Sequence, residues 1–443
     1  MASPPSPIYL RSRNPRAALM RSDSAAILRR FFFCEAALVR GQAGWLPAIA
    51  SLDVKLTLPR HIWEDAQLAE ALRNRVFELK FPSRFLEVGS DAPLTDLLEA
   101  SRHAPGPAAY LNGLARVFVP ALRDAYAAYL EAADDIGDGP TKRFLTFGIQ
   151  EKKRQIEELS KMVMMILDGN ARNSAEAEAW TDALKFRLTE IGGITLEPSK
   201  PVNFERKLPG SRSFTLTQIP ARDARFRRMR FYWPDNVDPH YDYGTAILLQ
   251  LRSAISHLNE VWAVETAGAI LDAFADQLGW DFVNDAARWV YDESRHTMMG
   301  WTRLRDWGFH DNELPLGSYI YDSTRNEDPI YRLGMLSYFE TKNIGKKIKR
   351  AEAFASYGDT ASEHDMDFDW ADEGMHTAYG QRWLPALFEQ RGWPLTAMRD
   401  VRSRCDELVQ AEVETATPQE IAETRAVADH LIARAHEFAT VVA

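Results

Sequence analysis

The chain has 443 residues, of which 46% are hydrophobic, and its formal net charge is -10. This length predicts two or three domains, and the apolar content is sufficient for a packed core. The negative charge argues against a primary role on nucleic acid, which usually requires a basic surface. Two cysteines, Cys34 and Cys405, are too few for a disulfide framework or a cysteine-based zinc site. We find no signal peptide and no apolar run long enough for a bilayer, and we therefore expect a cytoplasmic protein.

The N-terminal part of the sequence predicts an arm followed by a helical domain. Residues 1–22 are rich in Pro, Ser and Arg and predict an irregular arm. Residues 23–185 repeat apolar residues at helical spacing, with breaks rich in Gly, Pro and Asp. Residues 186–240 carry several prolines and glycines and predict an extended connector that wraps the rest of the protein.

Five arginines in the connector lie among aromatic residues. They are Arg222, Arg225, Arg227, Arg228 and Arg230. A patch that binds phosphate or nucleic acid is one interpretation. In an acidic protein, salt bridges to neighbouring carboxylates are the favoured one.

Residues 241–391 predict four helices, with a long connection between the second and the third. That connectivity is typical of a ferritin-like four-helix bundle. Residues 392–443 add C-terminal helices, one of which begins at Thr417-Pro418 with a capping-box Glu420. The predicted fold class is therefore all-α.

Two D-E-x-x-H motifs lie on the second and fourth of these helices. Glu293 precedes His296 by three residues, and Glu373 precedes His376 by the same interval. A spacing of i, i+3 places the carboxylate and the imidazole on one face of a helix, one turn apart. The flanking residues are apolar or aromatic, and a buried, unpaired Glu and His would be costly. Two such helices that face each other predict a site for two divalent ions.

Such a site needs one further carboxylate from each of the other two helices. On the third helix we expect Glu340, which lies 33 residues before Glu373. On the first helix Glu260 lies 33 residues before Glu293, whereas Glu265 lies 28 before it. We expect Glu260 as the ligand, with Glu265 as the alternative.

Each motif glutamate follows an aspartate. A metal-bound histidine usually donates its other ring N–H to a carboxylate, which orients the ring. We expect Asp292 to hold His376 and Asp372 to hold His296.

These motifs resemble those of soluble di-iron oxygenases and, more closely, of the bacterial ferritin-like family called domain of unknown function 455, which is related to tRNA-modifying di-iron hydroxylases. The similar stretches are Ser256-His257-Leu258-Asn259-Glu260, Glu293-Ser294-Arg295-His296, Phe339-Glu340-Thr341 and Asp372-Glu373-Gly374-Met375-His376. The resemblance implies six metal ligands: Glu260, Glu293, His296, Glu340, Glu373 and His376.

The N-terminal half shows a weaker version of the same pattern. Glu35 lies on an apolar helix, and Glu64 and Glu151 lie on later ones. The positions where histidines would follow hold Gln67 and Arg154. We interpret this half as a degenerate ferritin-like bundle that carries no metal.

Carboxylate and imidazole donors favour iron. The sequence therefore predicts two iron ions and an oxygen-dependent oxidase or oxygenase that acts on a small organic molecule, with Glu293 and Glu373 acting through the bound metals. Manganese, a mixed Mn/Fe pair and a non-catalytic iron-binding protein are the alternatives. An electron-donor protein and a second copy of the chain are the candidate protein partners; nucleic acid and membrane are not expected.

The predicted third helix carries a basic run. Its residues are Lys342, Lys346, Lys347, Lys349 and Arg350. We expect a solvated face there, with contact to an anionic substrate or an acidic reductase as the alternative.

Overall fold

The structure is a computed structural model that describes residue 10 and residues 18–80, 82–167, 169–202 and 207–442. The side chains of residues 340, 342, 343 and 440–442 lie outside the described part. Most of the predicted arm also lies outside it, and the first helix begins at Arg21, inside the predicted arm.

The described chain is all-α, as the periodicity predicted. The N-terminal helices are α1 Arg21–Trp45, α2 Leu52–Leu79, α3 Ala92–Ser101, α4 Pro107–Gly113, α5 Val119–Ala132, α6 Gly139–Leu167 and α7 Ala171–Glu190. The C-terminal helices are α8 Ile247–Leu258, α9 Val261–Leu278, α10 Trp280–Asp306, α11 Tyr319–Asp322, α12 Ile330–Tyr357, α13 Thr360–Gln390, α14 Met398–Glu414 and α15 Pro418–Val442. Within the described ranges, the only strands are β1 Arg227–Arg228 and β2 Pro315–Leu316, which pair in parallel. No described helix is both long and apolar enough to cross a bilayer.

Helices α9, α10, α12 and α13 pack against one another as a four-helix bundle. The long connection between α10 and α12 contains β2 and the short helix α11. Helices α14 and α15 pack on the outside of this bundle, against α12 and α8 respectively.

The predicted first helix of the bundle is two helices, because the chain breaks at Asn259 and Glu260. The Asn259 side chain donates to the carbonyls of Ile255 at 2.8 Å and Pro315 at 3.1 Å. Its oxygen accepts from the Gly317 N–H at 2.7 Å. These bonds tie the turn to the crossover segment, and they place Glu260 at the N-terminus of α9.

The N-terminal helices share their core with the bundle. Helix α1 packs on α9 and helix α2 packs on α10. Buried apolar side chains from both halves form one contiguous cluster, whose members range in sequence from Ile27 to Leu408. The hydrophobic core is therefore continuous between the predicted N-terminal domain and the predicted bundle.

Helix α7 extends to Glu190, so the first residues of the predicted connector are helical, whereas residues 192–226 and 229–233, where described, have no regular secondary structure. Three of the connector's five arginines make ion pairs, as favoured above, and Arg227 donates instead to the Asn312 carbonyl at 3.2 Å. Arg222 pairs with Glu265 at 2.6 Å, Arg225 with Asp223 at 2.8 Å, and Arg230 with Glu420 at 2.9 Å.

Candidate metal centre

The two D-E-x-x-H motifs face each other in the middle of the bundle. Glu293 and His296 lie on one face of α10, and Glu373 and His376 lie on one face of α13. All four side chains are buried. The two imidazole centroids are 5.8 Å apart. The i, i+3 spacing therefore brings the side chains of both helices together at one place.

Glu293 lies between the two histidines. Its Oε2 is 3.6 Å from His296 Nδ1, and its Oε1 is 3.3 Å from His376 Nδ1. On one side Glu260 Oε2 lies 3.4 Å from His296 Nδ1, and on the other Glu373 Oε2 lies 3.5 Å from His376 Nδ1. Two ligand atoms that each lie near 2.1 Å from one dication are separated by about 3.0 to 3.4 Å. The spacing suits two adjoining ions that share Glu293.

Several of these atoms are buried without a hydrogen bond. His296 Nδ1, His376 Nδ1 and Glu260 Oε2 make none to any residue that the structure describes. An orphaned buried polar atom costs about 1 to 3 kcal/mol. Two metal ions, one beside each histidine, would remove that cost, so the donor set fits a metal centre.

The far side of each imidazole meets the aspartate of the opposite motif. His376 Nε2 lies 3.5 Å from Asp292 Oδ2, and His296 Nε2 lies 3.3 Å from Asp372 Oδ2. This is the crossed pairing that the sequence predicts. Arg295 bridges the two aspartates, with contacts of 2.6 Å to Asp292 and 2.8 Å to Asp372. The aspartates are therefore held in place. His296 Nε2 is hydrogen-bonded to Asp372, whereas His376 Nε2 lies near Asp292 but makes no hydrogen bond to a described residue.

The carboxylates make the centre favourable for positive charge. Burial disfavours the charged form of His376, but Asp292, Glu373 and Glu293 outweigh burial and raise its pKa to about 9. Burial also opposes ionisation of Asp292, yet His376 and Arg288 lower its pKa to about 2. The same carboxylates would stabilise bound divalent ions.

Asp369 and Lys347 belong to the centre, although sequence reasoning missed Asp369 and placed Lys347 on a solvated face. Both are buried, and the Lys347 ammonium donates to Asp369 Oδ1 at 2.6 Å and also to Glu373. Asp369 also lies 3.4 Å from His296 Nε2 and 3.1 Å from His257 Nε2. One signal existed: Asp369 precedes Glu373 by four residues and His376 by seven, which is the same helix face.

Glu265 is not positioned as a ligand, which corrects its place as the alternative to Glu260. It is fully buried and pairs with Lys55 and with Arg222. Its distance from the centre follows from the helix: five residues beyond Glu260, it lies more than one turn further along α9. Glu340 lies on α12 as predicted, but its side chain is outside the described part.

The N-terminal half also contains buried carboxylates, but on helices α2 and α6 the residues that point inward are not the predicted ones. Lys152 Nζ donates to Glu35 Oε2 and to Asp65 Oδ1, each at 2.7 Å. Gln155 also donates to Asp65, at 2.8 Å. The inward positions are thus one residue after Glu64, Glu151 and Arg154. A shift of one residue turns a side chain by about 100° around the helix.

Of the residues predicted in that half, Glu35 belongs to this cluster, and the others lie beside it. Glu64 pairs with Arg154, Glu151 is partly exposed, and Gln67 is exposed and bonds Asn284 at 3.1 Å. The position between the buried carboxylates is taken by the Lys152 ammonium.

A family model described as "Protein of unknown function (DUF455)" matches residues 201–429, which is just over half of the chain. The matched region contains every candidate ligand of the centre described above. Comparison with curated proteins gave no match, and comparison with solved structures gave none either. The extent of the family match shows that this chain belongs to the family of proteins of unknown function called DUF455.

Proposed function

We propose that this protein is a ferritin-like, non-haem di-iron oxidase or oxygenase that uses O2 to oxidise a small organic molecule. The observation that carries the proposal is the position of Glu293 between two histidines, each of which has a further carboxylate at 3.4 to 3.5 Å. Two histidines and several carboxylates from four helices are the donor set of the di-iron carboxylate proteins. When bound in the ferrous state, the iron pair would supply part of the electrons with which O2 is reduced, and the organic substrate or an electron-donor protein would supply the rest.

The donors favour iron without excluding manganese. Oxygen and imidazole ligands suit iron, and carboxylates also suit manganese. A manganese pair or a mixed pair would therefore use the same residues.

A cavity of about 660 Å³ reaches the centre and supports a catalytic role over iron storage. Glu260, Glu293 and Glu373 line its inner end, and Trp262 and Phe339 form part of its wall. Ligand sites of drug-sized molecules have volumes of about 300 to 1,000 Å³. A cavity of this size leaves room for an organic substrate directly beside the carboxylates.

The residues around the centre have separable tasks in this proposal. Glu260, Glu293, Glu373, His296 and His376 would hold the metals. The apolar and aromatic walls would exclude water from the reacting atoms.

Metal analysis tests the centre itself. Protein produced with ample iron and manganese should contain two ions per chain, and Glu293→Ala should lose at least one of them while the protein stays folded. His430→Ala is a matched control, because His430 lies on α15, partly exposed and 3.0 Å from Glu313. Less than about half an equivalent of metal in the unmodified protein would contradict the centre.

Oxygen consumption separates the enzyme from an iron-binding scaffold. The iron-loaded protein, reduced under anaerobic conditions, should consume O2 and change its near-ultraviolet absorption. Glu293→Ala should do neither. A protein that holds two ions and is inert towards both O2 and peroxide would contradict the oxidase and leave an iron-binding role.

A further inference from the structure

The cavity that reaches the centre has two chemically different ends. Its inner end is lined by the carboxylates already described. Apart from Lys347, which belongs to the centre, the remaining charged lining residues among those described are here called the outer end: Arg252, Lys346, Lys349, Arg350 and Asp235. This outer end therefore carries a surplus of positive charge inside a protein with a net charge of -10.

Arg252 lines the cavity, and one nitrogen of its guanidinium group has no hydrogen-bond acceptor among the described residues. Its side chain is 8% exposed, and Asp235 accepts from its Nε at 2.8 Å and from its Nη2 at 3.0 Å. The remaining nitrogen, Nη1, is buried and makes no hydrogen bond within the described chain. Burying a guanidinium nitrogen without an acceptor is costly, so the arrangement suits an acceptor from a ligand.

Tyr243 adds a second donor at the same place. Its ring is near two guanidinium groups, 5.0 Å from that of Arg252 and 4.8 Å from that of Arg350. Its hydroxyl is buried and, like Arg252 Nη1, has no hydrogen-bond partner among the described residues. The two guanidinium groups repel each other, and an anion that contacts both would relieve this repulsion.

The cavity between its two ends is mostly apolar. Tyr232, Trp262, Tyr319, Ile320 and Phe339 contribute to its lining. Arg252 lies on α8, whereas Glu260 lies beyond the break, at the N-terminus of α9. A molecule that spans the cavity would therefore combine an apolar body with one anionic end.

We infer that the cavity binds a small organic anion, with its carboxylate or phosphate group on Arg252, Arg350 and Tyr243. The apolar body of this ligand extends towards Glu260 and Glu293. The claim that this anion is the substrate rests on the proposed function. The claim that the cavity binds such an anion rests on the cavity alone.

Calorimetric titration tests the site with three probes of similar size. Phenyl phosphate and 4-phenylbutanoate carry the two candidate anionic groups, and 4-phenylbutanamide is the neutral match. We expect at least one anion to bind about tenfold more tightly than the amide, since charge-assisted hydrogen bonds to arginine are lost in the amide. The preferred anion tells phosphate from carboxylate.

Variants locate the binding. Arg350→Gln should weaken the preferred anion about tenfold. The double variant Asp235→Asn/Arg252→Gln removes both members of the buried pair, so neither is left as an unpaired charge, and it should abolish the preference for anions. Arg402→Gln is the control, because Arg402 is exposed on α14. Circular dichroism verifies that each variant is folded.

Equal affinity for the amide and both anions would overturn the inference, and so would anion binding that neither variant weakens. Tighter binding of a single-stranded RNA oligonucleotide than of either probe would also overturn it, in favour of a nucleic-acid substrate. Metal content and O2 consumption are measured separately. A protein that holds two metals and consumes O2 but shows no anion preference refutes only this inference, whereas an anion preference without metal refutes only the proposed function.

Discussion

Two glutamates on the same stretch of helix have opposite surroundings. Each has one buried oxygen without a hydrogen bond in the described structure, but that of Glu260 faces His296, whereas the other oxygen of Glu265 pairs with both Lys55 and Arg222. A carboxylate already neutralised by two cations has little electrostatic reason to bind a dication. The same residue type therefore serves a metal centre at one position and the contact between chain segments at the other.

The pair Glu260→Ala and Glu265→Gln separates these roles. Glu260→Ala should lose one metal, because it removes a ligand beside His296. Glu265→Gln should keep both metals but lower the free energy of unfolding by about 3 kcal/mol, since it leaves buried cations without their carboxylate. Metal analysis and urea denaturation measure the two effects. If Glu265→Gln lost a metal and kept its stability, Glu265 would be the ligand after all.

Asp292 is expected to act on the metal through His376. Asp292→Asn keeps the size of the side chain but weakens its hold on the imidazole, so metal affinity should fall about tenfold or more. Competition with a chelator measures this affinity. Asp285→Asn is the matched change on α10, because Asp285 accepts instead from Trp383 at 2.9 Å. Equal metal affinity in both variants would remove the assigned role of Asp292.

Lys347 places a positive charge beside the carboxylate of Glu373, which is one of the expected ligands of the ion beside His376. It contacts both Asp369 and Glu373, and like charges repel. Lys347→Met keeps the aliphatic chain and removes the charge, so affinity for the ion beside His376 should rise about tenfold or more. The chelator competition used for Asp292 reports this change. A fall in affinity would show instead that Lys347 supports the centre.

At the scale of elements, an ion-pair cluster joins α2 to α6 near the surface. Glu158 on α6 accepts from His61 at 2.6 Å and from Arg60 at 2.5 Å. The hydrogen bond from His61 is the largest cause of a lowered pKa, about 2 for Glu158, with Arg60 adding to it against the effect of burial. This carboxylate therefore stabilises the α2–α6 contact only while it is ionised.

The resulting pH dependence has a definite sign. The folded pKa of Glu158 lies below the unfolded value, so its contribution is complete above about pH 4.5 and is lost as the pH falls towards 2. Because the group is partly exposed, we expect about 1 kcal/mol. Glu158→Gln should be less stable than the unmodified protein by that amount at pH 7, and the difference should shrink at pH 3. Urea denaturation at the two pH values measures it; a constant difference would contradict this account.

At the scale of the whole molecule, helix α1 lies unusually close to α9. A Cβ atom built on Gly268 would lie 2.7 Å from the backbone oxygen of Ala43 and 3.0 Å from Leu46. Backbone cannot move aside as a flexible side chain can. This contact is one reason why the N-terminal helices and the bundle share a single core.

Gly268→Ala tests the importance of that contact. The added methyl group should lower the free energy of unfolding by about 1 to 3 kcal/mol, because α1 and α9 must separate. Gly345→Ala is the control: a Cβ at this helical glycine meets no described atom within 4 Å, and the substitution should be neutral or stabilise by up to about 1 kcal/mol. Thermal or urea unfolding compares the two. If both substitutions stabilised the protein, the close contact would be wrong.

Local patterns in the sequence were sufficient for the helices and for the two motifs. Helix periodicity and the i, i+3 spacing depend only on neighbouring residues, so they place Glu293 with His296 and Glu373 with His376 whatever the remaining chain does. The crossed contacts of Asp292 and Asp372 follow because the same motif is present on both helices, and the structure contains both contacts.

The tertiary structure alone decided which other charged residues turn inward. Lys347 and Lys152 lie among lysines and glutamates that a sequence pattern assigns to solvent, yet both are buried between carboxylates from other helices. The break at Asn259 depends on a segment 56 residues away. Burial of a charge is decided by its partners, and these partners are distant in sequence and adjacent only after folding.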